Sequence, residues 1–276
     1  MSSRPAATAA RAPAEAPKLR AEKLVKSFGG KKVLDGCSFS VAAGESFVIL
    51  GPSGTGKSVT LKHLIGLIRP DSGAVYVDGQ SIWELSHTER TELRRRFGMS
   101  FQEGALFDSM SVADNVGFPL RRSGKPANEV RRRVDECLEI VHLPDIAQKR
   151  PSELSGGMRR RVGFARAIAL EPEILLFDEP NTGLDPIMTD IIDEVILEMR
   201  KSLDATIVTI THHIPSAKKI GDRLALLFGG KLLFEGTPDE FVSSRDPAVR
   251  QFVEGQAEGP LTVEFARSRK SGGGEA

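Results

Sequence analysis

At 276 residues, with 40% apolar and 27% charged, the chain has the balance of an ordinary globular protein and the length to bury a sizeable core. A formal net charge of +1 lacks the basic excess of a dedicated nucleic-acid binder, so nucleic acid is not expected as a partner. Cys37 and Cys137 stand far apart without CxxC spacing, which fits a reducing compartment and argues against a disulfide framework or a zinc site.

In chain order, residues 1–17 are Ala- and Pro-rich and read as a disordered arm with no apolar leader segment. Phe39 and Val41 alternate with serines, and Ser46 to Leu50 is an apolar run of the kind buried on both faces of a sheet. A glycine-rich turn leads to a helix predicted from Lys57 to about Ile68. Pro70-Asp71-Ser72-Gly73 is turn chemistry, Ala74 to Val77 a strand, and Asp78-Gly79 its turn. Ser86-His87-Thr88-Glu89 has the form of a capping box. Residues 111–170 read as mostly helical, broken at Pro119, Ser123-Gly124 and Pro144.

Strand and helix alternate again after Pro172: Ile174 to Phe177, an amphipathic helix from Ile187 to Lys201, and the β-branched Thr206 to Thr211. Leu224 to Phe228 and Lys231 to Phe234 flank Gly229-Gly230 as a hairpin. Residues 268–276 read as a frayed tail. The pattern predicts an α/β core with a parallel sheet and the helical middle as an inserted subdomain. Apolar runs such as Leu224 to Phe228 are far short of the roughly 18 residues that cross a bilayer, so any spanning would fall to another chain. The arginine clusters at 94–96, 131–133 and 159–161 are expected on solvated helical faces. Trp83 is read as packing and His213 as an ordinary loop histidine.

The chemistry begins at Gly51-Pro52-Ser53-Gly54-Thr55-Gly56-Lys57-Ser58, a complete G-x-x-x-x-G-K-S that follows a buried strand and opens a helix, with Val59 next. The glycines let backbone amides turn inward around a triphosphate, and the helix N-terminus adds favourable partial charge. Lys57 would reach the β- and γ-phosphates and the Ser58 hydroxyl would ligate Mg²⁺. Asp178 and Glu179 end a second buried strand, where ligands of open α/β sheets sit. Asp178 is suited to Mg²⁺, and Glu179 to activating or orienting the attacking water. Leu154-Ser155-Gly156-Gly157-Met158 precedes a helix predicted to begin around Arg159. Two glycines beside a serine there read either as an N-cap or as a second anion cradle, aimed at the nucleotide of a partner copy.

On these motifs residues 18–255 resemble the ATP-binding cassette (ABC) ATPases. The resemblance implies a P-loop α/β core with an N-terminal antiparallel β subdomain, a helical subdomain at about 103–165, and a C-terminal extension at 256–276. It implies that Gln102, in Ser100-Phe-Gln-Glu, senses Mg²⁺ and the membrane partner. It makes Leu154 to Met158 the family signature, and Gly183-Leu-Asp185-Pro186 the D-loop that crosses a dimer interface. His212 becomes the switch histidine at the γ-phosphate. Phe28 stands where many members stack a tyrosine on adenine. Two copies would sandwich two ATPs, and a transmembrane permease would receive the motion.

Segments outside these motifs, Phe101 to Phe107, Val112 to Leu120, Glu153 to Arg161 and Asp246 to Pro260, are similar to the ATPases of Mla/MCE-type phospholipid transport systems. That implies a peripheral subunit on the cytoplasmic face of a bacterial inner membrane, working with a permease and an MCE-domain protein. Some such systems add a STAS-domain subunit. The nearest rival is the ATPase of an amino-acid or other small-nutrient importer, which shares every catalytic motif.

Overall fold

The computed structural model describes residues 16–100 and 104–262. The elements run β1 (Leu19–Phe28), β2 (Lys31–Val41), β3 (Ser46–Leu50), α1 (Lys57–Leu64), β4 (Ser72–Val77), β5 (Gln80–Ser81), α2 (His87–Arg94) and β6 (Phe97–Ser100). There follow α3 (Val112–Arg122), α4 (Ala127–Ile140), α5 (Gly156–Ile168), β7 (Ile174–Asp178), α6 (Pro186–Leu203) and β8 (Thr206–Thr211). The chain closes with α7 (Ile214–Ile220), β9 (Arg223–Phe228), β10 (Lys231–Gly236), α8 (Pro238–Val242) and α9 (Pro247–Glu254).

Two sheets form. One is antiparallel, ordered β2-β1-β4-β5; the other is ordered β10-β9-β3-β8-β7-β6, parallel except for the β9–β10 hairpin. The period-2 alternation of strand side chains explains why β3 is apolar from Phe47 to Leu50. Phe47 and Ile49 pack in a core shared with Leu19, Leu24 and Phe39 of the antiparallel sheet, while Val48 and Leu50 face a second core built with the helices. β7 divides the same way, Ile174 and Leu176 against Leu175 and Phe177. A strand covered on both faces favours apolar side chains at most positions, hence the continuous apolar runs.

The helical middle joins the second core through Val112, Val116 and Leu120 of α3, Val130, Val134 and Leu138 of α4, and Val162 and Phe164 of α5. Asp185 caps α6, Pro186 takes the first helical position, and Ile192, Val195, Ile196 and Met199 form its buried stripe. Ser86 and Glu89 close the expected capping box on α2.

Differences from expectation in three helices have a physical cause. α1 stops at Leu64 instead of near Ile68, because the chain turns at Gly66 with φ of +67°. Pro119 lies inside α3 and does not break it. Its ring removes one amide donor from the helix, and the burial of Val116 and Leu120 on either side holds the helix despite that loss. α5 begins at Gly156, three residues before Arg159, because Ser155 caps it.

Candidate nucleotide site

β3, β8 and β7 are adjacent, so the loops leaving their carboxyl ends converge: the P-loop after Leu50, His212 after Thr211, and Asp178-Glu179 at the end of β7. At Gly51 a Cβ would lie 2.4 Å from the Leu227 carbonyl oxygen, which only glycine permits. Gly56, with φ of +101°, starts α1 without any side-chain cap, leaving the first amides of the helix for a ligand. Thr55 is turned inward and donates to the Pro52 carbonyl at 2.9 Å, bracing the loop from inside. A cavity of about 330 Å³ is lined by Ser53, Gly54, Gly56, Lys57, Ser58, Val59, Asp178 and Glu179, together with Val33.

Lys57 is buried. Its ammonium donates to the carbonyls of Gly51 at 2.7 Å and Pro52 at 3.1 Å, and lies 3.2 Å from Glu179 Oε1. The other Glu179 oxygen is 2.8 Å from His212 Nδ1 and accepts from Thr182 Oγ1 at 3.1 Å. Ser58 donates to Asp178 Oδ1 at 3.1 Å. Burial pushes the Asp178 carboxyl above its ordinary range, against the Ser58 hydrogen bond and the charges of Lys62 and Lys57. A hydroxyl and a desolvated carboxylate side by side are hard oxygen donors of the kind Mg²⁺ takes, usually with one or two carboxylates and substrate phosphates.

Several expected residues stand apart from that cavity. Phe28 ends β1, is 47% exposed, and has Lys26 Nζ 5.5 Å above its ring. Gln102 lies outside the described residues. Ser155, Gly156 and Gly157 open α5, where the Ser155 hydroxyl accepts from Met158 N at 3.3 Å; Ser155 and Gly156 are exposed. The Asp185 carboxylate accepts from the amides of Ile187 and Met188, both at 2.9 Å. Next to it Ile187 is 75% exposed, unusual for so apolar a side chain. Within one copy Ser155, Gly156 and Asp185 therefore face outward, while Gly157 of α5 is buried.

The arginine clusters are only partly on solvated faces. Arg94 donates to the carbonyls of Ile65 and Gly66 beyond α1, and Arg133 to those of Ile168 and Ala169 at the end of α5. Cations suit helix C-termini, where carbonyls lack partners. Arg160 is buried and donates to the carbonyls of Pro180 and Thr182. Arg160 and Asn181, which carry the turn after Glu179, were invisible as site residues because their partners are backbone atoms or distant in sequence. Trp83 packs against the inter-sheet core with Arg90 stacked 4.7 Å over its ring, as expected of a packing residue. His213 caps α7.

Residues 34–182 match the ABC transporter family, described as "ABC transporter". The probable ribonucleotide transport ATP-binding protein mkl of Mycobacterium leprae is 45% identical over 239 residues, 86% of this chain and 69% of that one. The intermembrane phospholipid transport system ATP-binding protein MlaF of Escherichia coli is 40% identical over 238 residues, 86% of this chain and 88% of that protein. The methionine import ATP-binding protein MetN of Carboxydothermus hydrogenoformans is 45% identical over 223 residues, 80% and 66% of the two chains. Among solved structures, the ATP-binding cassette MJ0796 in a dimeric post-hydrolysis state with ADP and Pi superposes with a TM-score of 0.73. The two are 31% identical, over 80% of this chain and 98% of that one. The chain belongs to the ABC transporter family. It is an ATP-binding, ATP-hydrolysing subunit of that family, with a fold that joins a parallel sheet to an antiparallel one.

Proposed function

We propose that this chain hydrolyses Mg²⁺-bound ATP in a site shared by two copies of itself. The observation that carries the reading is the meeting of Lys57, Ser58, Asp178, Glu179 and His212 at the carboxyl edge of three adjacent strands. Ser58, Asp178 and Gln102 would hold Mg²⁺, which neutralises phosphate charge when bound. The backbone of Gly51 to Val59 cradles the phosphates, with Pro52, Ser53, Gly54, Thr55 and Gly56 shaping the loop. Glu179 takes or orients the proton of the attacking water, and His212 stands at the γ-phosphate. Phe28 stacks on adenine. Ser155, Gly156 and Gly157 of the second copy, with Asp185 beside them, close the site from the other side. The exposure of Ser155, Gly156 and Asp185 on a single copy and the dimeric state of the similar MJ0796 cassette support this.

The assembly proposed is two copies on a dimeric permease at the cytoplasmic face of a bacterial inner membrane. Among the described residues no helix is long and apolar enough to cross a membrane. The cargo proposed is phospholipid, with an MCE-domain protein beyond the membrane and room for a STAS-domain subunit. The similarity to MlaF, which spans 88% of that protein, supports it. The similarity to MetN favours an amino-acid importer as the second reading.

Purification of the tagged chain from membranes in mild detergent tests both. A permease, an MCE-domain protein and bound phospholipid are expected. A permease with a small-solute binding protein would replace the lipid reading with the importer one.

A further inference from the structure

The turn from Glu179 to Asp185 is held from behind by groups for which phosphate chemistry has no use. Glu179 has φ of +51° and precedes a proline, a backbone state that a residue with a side chain keeps only when its surroundings impose it. Arg160, 7% exposed, reaches across from α5 and donates Nη1 to the Pro180 carbonyl at 2.7 Å and Nη2 to the Thr182 carbonyl at 2.9 Å. Those carbonyls flank Asn181.

Asn181 is itself 6% exposed. Its amide donates to Asp193 Oδ1 of α6 at 2.8 Å and also to the Ser216 hydroxyl of α7. Asp193 is 3% exposed and Ser216 1%. The Ser216 backbone amide donates to His213 Nδ1 at 3.2 Å, so that nitrogen is an acceptor; the Ser216 hydroxyl, 2.7 Å from it, has its own proton to give there. His213 adjoins His212, whose imidazole meets Glu179. A closed path thus runs from the turn behind the carboxylate, through Asn181 and Ser216, to the loop that carries the imidazole. None of Arg160, Asn181, Asp193 and Ser216 lines the P-loop cavity. Burial raises the Asp193 carboxyl, opposed by the hydrogen bond from Asn181 and the charge of Lys219, so the carboxyl is held there at a cost in desolvation.

We propose that Arg160, Asn181 and Asp193 are positioning residues that set the Glu179 carboxylate and the His212 imidazole against each other through the turn between them. The inference rests on the catalytic reading of Glu179 given above. Asparagine suits the central place because one amide supplies two N–H donors to two acceptors, and arginine suits the other because its fork spans two carbonyls.

The test uses the 276-residue chain carrying Asn181→Ala, Arg160→Gln or Asp193→Asn, with and without Glu179→Gln. Steady-state ATP turnover is read alongside the binding of a fluorescent ATP analogue and a thermal melt. Expected for Asn181→Ala and Arg160→Gln is a kcat about 10- to 100-fold lower, the scale of a misplaced reacting group, with KM and analogue Kd within about twofold. Asp193→Asn exchanges the carboxylate for a neutral, weaker acceptor of the Asn181 amide, so its kcat falls as well, but by less than in Asn181→Ala. In the Glu179→Gln background neither Asn181→Ala nor Arg160→Gln lowers the residual rate further, because they act through the group already removed.

Full kcat in folded Asn181→Ala and Arg160→Gln, or multiplied losses in the double variants, overturns the inference and leaves the proposed site standing. Wild-type turnover in Glu179→Gln alone overturns the proposed site, and this inference with it. Should Asn181→Ala fail to fold, Arg160→Gln carries the same cycle.

Discussion

Lys57 Nζ lies 3.2 Å from Glu179 Oε1, so the proposed phosphate-binding cation and the proposed base are held to each other. The contact is largely desolvated, with the side chains 6% and 13% exposed. Charges in such surroundings interact more strongly than at the surface. On the proposed reading, phosphate oxygens in the loop would compete with the carboxylate for that ammonium.

Glu179→Gln removes the negative charge and the basic oxygen but keeps the shape. Nucleotide binding is expected to persist while turnover falls by roughly 10²- to 10⁴-fold, the contribution of a general base. Single-turnover hydrolysis set beside equilibrium binding separates the two effects. Unchanged hydrolysis would remove Glu179 from the mechanism.

Gly51→Ala places a methyl 2.4 Å from the Leu227 carbonyl oxygen, an atom fixed in β9. The loop or the strand must shift, at a cost of about 1–3 kcal/mol for overpacking. A lowered melting temperature together with weakened ATP binding is expected. A variant that melts and binds as the parent does would show that the loop carries no such constraint.

Glu173 predicts an acid-sensitive tie between the sheets. It pairs with Lys18 next to β1 and with Arg96 next to β6, and both cations also reach Asp78 beyond β4. The Arg96 hydrogen bond, with help from Lys18, holds the Glu173 carboxyl down at about 2 against burial. Because the folded value is depressed, the stabilisation is complete above the ordinary glutamate range and is lost as pH falls toward about 2. Glu173 is 48% exposed, so solvent screening holds its worth to about 1 kcal/mol or less. Denaturant melts of Glu173→Gln should show a deficit at neutral pH that shrinks in acid. A deficit constant with pH would point to packing instead.

Both thiols should be inert while the chain is folded. Cys37 and Cys137 are buried and unpaired, and burial pushes each thiol up to about 12. The thiolate is the nucleophile, and little of it exists near neutrality. A disulfide reagent should find no reactive thiol in the native protein and two per chain in denaturant. Rapid native modification of either cysteine would contradict the packing described.

Much of the fold was readable because strands buried on both faces leave continuous apolar runs, and Ser46 to Leu50 and Ile174 to Phe177 appear as such. The limits of helices were less readable. Pro119 breaks a helix by local rules, yet it lies in a last turn whose neighbours Val116 and Leu120 are buried in the helical core. No pattern within the segment announces that burial. The arginine clusters mislead for the same reason: three consecutive charges look alike in sequence, while Arg159 is exposed and Arg160 is clamped to the turn after Glu179.

The phosphate-loop motif, the paired carboxylates at a strand end, and the serine-glycine start of α5 were legible in the order of residues. Each is a short run whose chemistry and local geometry are set by neighbouring residues. Which of them meet depends on the packing of distant elements. The order of β3, β8 and β7 brings Lys57, Glu179 and His212 within hydrogen-bonding reach, whereas Ser155 and Asp185 spend their side chains on helix caps. The buried tie from Arg160 through Asn181 to Asp193 and Ser216 belongs wholly to the second kind. Its partners come from α5, α6, α7 and a loop, and only the packing of those elements places polar groups where water cannot satisfy them.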